Sequence, residues 1–456
     1  MTTFISFSHS NKSGMWQNGT QYTRAPLISL KQRPKLTKIS KITTKNSFFA
    51  NITQRALSTI RRSSNKSSKS SLKLSESKGI HQKSALSCEI SRKTSLPENL
   101  TDIPNLFPVS SKTALMNYAN FLTDYELEEI KHYNLIYFLA PVCVKATSSF
   151  FFDDEDGNYK VIQGDHLVYR YEIFHVLGRG AFATSYKCFD HKVKQFVAVK
   201  IIKSIKRLEN QSEIEIRLLK KIKSYNPNNE YGLVNILENF KFRGHTCIVF
   251  ELLDLSLLQH LKLNNRRGFP SEVVKSYTRC LLKSLSFLKT HSIIHSDLKP
   301  ANILFSNDPT VPLKIIDFGT SCTTKEILYK YIQSRYYRAP EVLLGLDYNE
   351  AIDMWSLGCL VYELVTGSVL FKGDSEIEVL GQICSIKGMP PSELKARARR
   401  NSRFTGEKKG GLETRVKEKS LVDFLESKEY IGCLHWDARF RIKPEEALMH
   451  IWIREY

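Results

Sequence analysis

Between His295 and Leu304 the chain reads His295-Ser296-Asp297-Leu298-Lys299-Pro300-Ala301-Asn302-Ile303-Leu304, which places a carboxylate, an ammonium and a carboxamide within one short stretch. That set suits phosphoryl transfer. Asp297 would orient an attacking hydroxyl and accept its proton, Lys299 would stabilise a phosphate oxygen, and Asn302 would hold a metal ion. On its own, Asp-x-x-x-x-Asn describes many solvated polar loops. Its downstream neighbours give it meaning. Asp317-Phe318-Gly319 comes after a short apolar strand containing Leu313, Ile315 and Ile316, with Asp317 as a second Mg²⁺ ligand, and Ala339-Pro340-Glu341 comes after that. Pro300 bars a helix through the loop. Upstream, Leu281, Leu282, Leu285 and Leu288 recur at helical spacing, so a buried helix delivers the chain into it.

Other elements must bring a nucleotide to this loop. Val176-Leu177-Gly178-Arg179-Gly180-Ala181-Phe182-Ala183 is a glycine-rich turn whose backbone can approach phosphates closely. Phe196-Val197-Ala198-Val199-Lys200-Ile201-Ile202 is an apolar strand interrupted by one lysine, and a buried lysine is costly unless paired. The following helix offers Glu213 and Glu215. At 100° per residue, Ile214, Leu218, Leu219 and Ile222 define its apolar stripe. Glu215 falls inside that stripe and Glu213 outside, so Glu215 is the expected partner.

In this order the motifs resemble the eukaryotic protein kinases, and the likeness covers roughly residues 111–456. The segment Tyr329-Lys330-Tyr331-Ile332-Gln333-Ser334-Arg335-Tyr336-Tyr337-Arg338-Ala339-Pro340-Glu341 narrows it. Its Tyr-x-Tyr followed by Ser-Arg-x-Tyr-Arg is similar to the dual-specificity tyrosine-phosphorylation-regulated kinases, and residues 111–171 resemble the accessory region and homology box of their class II branch. The resemblance implies an α+β, bilobal kinase fold: a small β-rich lobe at 171–253 and a large α-helical lobe at 254–456, with a short basic insert near 388–420. The accessory region would occupy 111–170, behind a basic Ser/Lys-rich tail at 1–110.

The same resemblance implies site roles. ATP would lie against Leu177, Gly178, Gly180, Ala198, Lys200, Glu215, Phe250, Glu251, Leu253, Asp254 and Leu304, with Phe250 as gatekeeper and Glu251 to Leu253 offering backbone groups to adenine. Asn302 and Asp317 would hold Mg²⁺. Tyr331 would be autophosphorylated and its phosphate clamped by Arg335 and Arg338 through charge-assisted bonds. Glu341 would pair with Arg441, tying the activation segment to the C-terminal helices. Substrates would be Ser/Thr sites in proteins, followed by proline, and the catalytic domain would be monomeric. Three positions depart from the pattern. Ala183 replaces the third glycine, Ser185 stands where a valine usually covers adenine, and Ser296 stands where most kinases carry arginine and this family cysteine. Ala183 and Ser185 keep a second reading open, a pseudokinase scaffold with a weakened phosphate loop.

Charge sets these regions apart. Residues 1–100 hold 18 Lys+Arg against 3 Asp+Glu, contributing +15 of the chain's net +21, and residues 395–419 contribute another +7. The remainder is close to neutral. The tail also contains 20 serines and little periodicity, so it is expected to be disordered and available to anionic partners. Nine cysteines without a CxxC pair suggest neither a disulfide framework nor a zinc site. No secretory signal or spanning segment is evident, and the expected compartment is cytoplasm, nucleus or both. Capped helices are expected over 111–122 and 122–130, with an anchor at 136–139. The acidic stretch Asp153-Asp154-Glu155-Asp156 lacks the twelve-residue pattern of a Ca²⁺ loop.

Overall fold

The computed structural model describes residues 107–140, 152–399 and 431–454. The expectations for the basic tail before residue 107, and for the insert between 400 and 430, lie outside these residues. Among the described residues no helix is long and apolar enough to cross a membrane.

The chain enters through strand β1 (Val109–Ser110), helices α1 (Ser111–Tyr118) and α2 (Asp124–Glu129), and strand β2 (Leu135–Ile136), which pairs antiparallel with β1. Both expected helices are capped, with bounds that differ in detail. Ser110 caps α1, accepting from the Thr113 amide. Thr123 and Glu126 form a reciprocal capping box, which starts the second helix at Asp124 instead of Leu122. Ala114, Leu122, Ile130, Ile136 and Leu139 bury a small core of their own around Tyr169.

That core is fastened to the small lobe by charge. Glu126 lies 2.9 Å from Nε2 of His166, and Arg243 bridges Glu126 at 3.2 Å and Glu129 at 2.9 Å. All four side chains are nearly inaccessible, so each depends on the others for its hydrogen bonds. The acidic stretch also serves structure. The Asp154 carboxylate accepts from the amides of Asp156 and Asn158, and Asp153 meets Nε2 of His245 at 2.7 Å.

The small lobe is a six-stranded antiparallel sheet in the order β3-β4-β5-β6-β8-β7, comprising His166–Leu167, Tyr171–Arg179, Ala183–Asp190, Gln195–Ile202, His245–Glu251 and Ile236–Phe242. Its one long helix, α3 (Lys206–Tyr225), buries Leu208, Ser212, Glu215, Ile216, Leu218, Leu219 and Ile222. Ile214, placed on the buried stripe by the sequence reading, is only half-buried; Ile216 takes that place.

The large lobe follows with α4 (Leu257–Leu263) and α5 (Ser271–Thr290), whose Val274, Leu281, Leu282, Leu285 and Leu288 face inward. Short antiparallel pairs, β9 (Ile293–Ile294) with β12 (Cys322–Thr323) and β10 (Ile303–Phe305) with β11 (Leu313–Ile315), pin both ends of the catalytic stretch. Helix α6 (Pro340–Leu344) precedes α7 (Ala351–Thr366). From Ile352 to Leu364 every residue of α7 is buried, as expected for the central post of a large lobe. Helices α8 (Glu376–Lys387), α9 (Ser392–Arg397), α10 (Pro444–Leu448) and α11 (Ile451–Arg454) complete the described chain. One continuous apolar core runs from Ile202, Leu219 and Ile248 of the small lobe through Phe318 to Leu357 and Leu364 of the large lobe.

Candidate active site

The site lies where the sheet of the small lobe meets the loops pinned by the short strand pairs. Lys200, on β6, reaches Oε1 of Glu215 on α3 at 2.7 Å and Oδ1 of Asp317 at 2.9 Å. Glu215 is 3% exposed, whereas Glu213 on the same helix is exposed, so the buried acid is the one that meets the lysine. Burial alone would push the Lys200 ammonium down, but the Asp317 and Glu215 carboxylates hold it above its ordinary value. Burial raises the Glu215 carboxyl and Lys200 opposes that rise, so the glutamate's charge depends on its partner. Beside Lys200, Asp317 is held at about 2, well below the usual carboxylate range.

Asp317 sits at φ +65, in the left-handed region, and is followed by Phe318, which is buried in the interlobe core with its edge against His295 at 5.0 Å. A strained aspartate anchored by a buried phenylalanine fixes where its carboxylate points.

In the catalytic stretch, Lys299 Nζ donates to Oδ2 of Asp297 at 2.6 Å and to Oγ of Ser334 at 3.0 Å. Asn302 Nδ2 donates to the Asp297 carbonyl at 2.9 Å. The other carboxylate oxygen of Asp297 accepts from the amide and hydroxyl of Ser334 at 2.9 and 2.8 Å. The loop is held from below by Asp353 of α7, which accepts from the amides of His295 at 2.8 Å and Ser296 at 2.9 Å. Ser296, also at positive φ, turns its hydroxyl to the Thr320 carbonyl at 2.6 Å. Where an arginine would reach outward, this serine makes a short internal tie to the activation segment.

The nucleotide side of the cleft is laid out by strand register. Gly178 pairs with Ser185, Ser185 with Lys200, and Ala198 with Phe250. Gly180 donates its amide to the Ala183 carbonyl at 2.8 Å. Ala183 is buried within β5, opposite Ile202, so its methyl is absorbed by the sheet. Leu177 is exposed at the rim. The Glu251 side chain is committed to Lys314, both oxygens at 2.8 Å, leaving only backbone to face a ligand. Leu253 packs on the interlobe core, while Asp254 donates its amide to Phe305 and Leu304 bridges to Ser256, so this strip is tied to β10.

Two oxygens suit a hard dication. Asp317 Oδ2 and Asn302 Oδ1 accept from no described residue, and the Asp317 carboxyl is ionised at all ordinary pH. Oxygen donors of this kind are those that magnesium and calcium prefer.

In the activation segment Tyr331 is 62% exposed, with the Arg338 guanidinium 4.1 Å from its ring centroid. Arg338, followed by Arg335, pulls the Tyr331 phenol below its ordinary value. Arg335 gives one nitrogen to the Asp374 carbonyl at 2.5 Å and Arg338 gives Nη1 to Glu376 at 2.7 Å, so both expected clamps already hold other partners. Glu341 and Arg441 meet through two parallel bonds of 2.8 and 2.9 Å, both side chains buried.

Sequence reasoning missed the part played by Gln333. It sits at φ +63 with its side chain buried, donating to Ile352 and Ser356 and accepting from the Ala339 amide. Its carbonyl is taken by Arg338, at 2.6 Å from Nη2 and 3.2 Å from Nε. A glutamine in a polar loop carries no periodic signal; only its place immediately before Ser334 could have drawn notice.

Comparison with known proteins identifies the family. The family model described as protein kinase domain matches residues 171–453. The chain is 36% identical over 375 residues to dual specificity tyrosine-phosphorylation-regulated kinase 2 of Drosophila melanogaster, covering 76% of this chain and 51% of that protein. It is 38% identical over 375 residues to dual specificity tyrosine-phosphorylation-regulated kinase 4 of Homo sapiens, covering 76% and 71%. It is 40% identical over 360 residues to serine/threonine-protein kinase ppk5 of Schizosaccharomyces pombe, covering 73% and 42%. The chain thus spans between two fifths and seven tenths of the length of these relatives.

Proposed function

Because the chain belongs to the protein kinase family, in its dual-specificity tyrosine-phosphorylation-regulated branch, we propose that it transfers the γ-phosphoryl group of ATP to serine and threonine hydroxyls of proteins and phosphorylates its own Tyr331. The observation that carries this reading is the assembled set itself. Lys200 stands paired with both Glu215 and Asp317, and Asp297 lies beside Lys299 and Asn302 in the same cleft.

Each residue has a distinct task. Lys200, kept charged by its two acids, binds the phosphates of the nucleotide. Asp317 and Asn302 would hold Mg²⁺, which neutralises phosphate charge when bound. Asp297 orients the acceptor hydroxyl and receives its proton, while Lys299 steadies the transferring group. Ser334 occupies Asp297 through two hydrogen bonds, so an incoming hydroxyl exchanges into a place already shaped for one. Most of the acceleration then comes from positioning and fixed charge.

The same groups suggest why proline would follow the acceptor. Gln333 adjoins Ser334, which occupies Asp297, and we place the residue after the acceptor against its carbonyl. Arg338 already fills that carbonyl, so an arriving N–H finds no acceptor, and proline has none to satisfy. The buried Ala183, absorbed into the sheet, gives the scaffold reading no support. We place the protein in cytoplasm or nucleus, since cysteines scattered without a CxxC pair suit a reducing compartment.

The test is phosphorylation of a Ser-Pro peptide by the purified chain with ATP and Mg²⁺. Turnover should require the metal and vanish in Asp317→Asn while the fold persists; retained metal-dependent turnover in that variant would sink the assignment.

A further inference from the structure

One hydroxyl of the chain itself already stands on the catalytic carboxylate. Ser334 Oγ donates to Oδ1 of Asp297 at 2.8 Å and accepts from Nζ of Lys299 at 3.0 Å. These are the two groups assigned to receive the acceptor's proton and to steady the transferring phosphoryl group. Ser334 therefore makes the bonds that a substrate hydroxyl makes. Its proton points at the base, and a hydroxyl oxygen has two lone pairs, so one remains for attack after Lys299 has taken the other. The seat is fixed from both sides. The Ser334 amide donates to the same Asp297 oxygen at 2.9 Å, the Gln333 amide donates to the Ser296 carbonyl at 3.0 Å, and the short helical turn Arg335–Tyr337 follows. Ser334 is only half-buried. Tyr331, three residues earlier, lies instead with the Arg338 guanidinium 4.1 Å from its ring centroid.

A nucleophile tethered on its own base has the advantage of an intramolecular reaction. We propose that Ser334 is a self-acceptor, phosphorylated within the same molecule, and that this modification shuts the site. The proposal rests on ATP-dependent phosphoryl transfer as the chain's activity. In the step, Ser334 Oγ bonds to the γ-phosphorus of ATP and its proton passes to Asp297. The bond from that phosphorus to the bridging oxygen of the β-phosphate breaks, and ADP leaves. The product carries about −1.5 to −2 charge at neutral pH. It stands against the Asp297 carboxylate and holds Lys299, so an incoming hydroxyl finds neither group available. Each molecule performs the reaction once, and its turnover of other substrates then ends.

The experiment takes the purified full chain, clears it of phosphoserine with a serine phosphatase, and incubates it with ATP and Mg²⁺ at a low and a high protein concentration. Mass spectrometry follows Ser334, and samples are assayed on a Ser-Pro peptide. Phosphate should appear on Ser334 with the same half-time at both concentrations, as a reaction within one molecule requires. Turnover should fall in step, with molecules phosphorylated at Ser334 keeping about one tenth or less of their starting kcat/KM. In Asp317→Asn, alone or mixed with wild type, Ser334 should stay bare. Ser334→Ala should keep whatever turnover it starts with through the same incubation. Ser334→Thr, which restores a hydroxyl, should be modified and decay. The proposal is overturned if the peptide or Tyr331 is phosphorylated while Ser334 stays bare. It is equally overturned if the wild type modifies Ser334 of Asp317→Asn, or if the half-time shortens at the higher concentration. Phosphate on Ser334 without loss of turnover, or a Ser334→Ala variant that decays like the wild type, would also overturn it. No phosphate on peptide or chain is a different result, defeating ATP-dependent transfer and this proposal together.

Discussion

Replacing proline by alanine at the position after the acceptor serine is a sharp test of the Gln333–Arg338 arrangement. The Gln333 carbonyl accepts two bonds from the Arg338 guanidinium, at 2.6 and 3.2 Å, and both side chains are buried. An alanine would bring an N–H to a place whose acceptor is already used. An unsatisfied donor at a closed interface costs about 1–3 kcal/mol, which is roughly 5- to 150-fold in rate at about 1.4 kcal/mol per decade. A matched pair of peptides, Ser-Pro and Ser-Ala, would be compared by kcat/KM, with N-methylalanine as a third member because it also lacks the donor. The expectation is a large loss for alanine and substantial recovery with N-methylalanine. Equal rates for Ser-Pro and Ser-Ala would refute the reasoning, and failure of N-methylalanine to recover would show that ring shape, not the missing donor, decides.

Arg441→Ala strands the buried Glu341 carboxylate and should cost about 3–5 kcal/mol. For a domain of this size that is a fall in Tm of about 10 °C by thermal shift, and a fall under about 2 °C would contradict the pairing. Lys200→Met should release Asp317 from about 2 toward the ordinary carboxylate range. Because that carboxyl is depressed in the folded state, its stabilisation is complete above roughly pH 4 and is lost as pH falls through its folded value. The stability gap between wild type and variant should therefore narrow below about pH 4, whereas a constant gap would argue against the assignment. Tyr331→Phe should lower turnover by about tenfold, since it removes the hydroxyl whose phosphate would meet Arg335 and Arg338 while keeping the ring beneath Arg338. Undiminished activity would make the tyrosine a packing residue.

Much of this site was legible because chemistry and burial leave marks in sequence. A lysine in an apolar strand demands an acid, and the helical period chose Glu215 over Glu213. The capping box at Thr123 and Glu126 was similarly open to reading, although the helix began two residues later than its apolar pattern suggested. What stayed hidden was whatever depended on distant segments meeting. Nothing local ties Arg243 to Glu126 and Glu129, more than a hundred residues away. Nor does any pattern show that Ser334 fills Asp297, that Glu251 commits its carboxylate to Lys314, or that Gln333 turns its carbonyl to Arg338. The first and last of these arise from the packed activation segment, the second from β11 meeting the end of β8. Nor does the sequence show that Arg335 gives a nitrogen to the Asp374 carbonyl.

The central claim is intrinsic phosphoryl transfer, and mass spectrometry of the chain expressed in bacteria, beside an Asp317→Asn control, tests it most directly. The account predicts phosphate on Tyr331 of the wild type and none on the control. An unmodified Tyr331, together with no phosphate on a supplied Ser-Pro peptide, would contradict it.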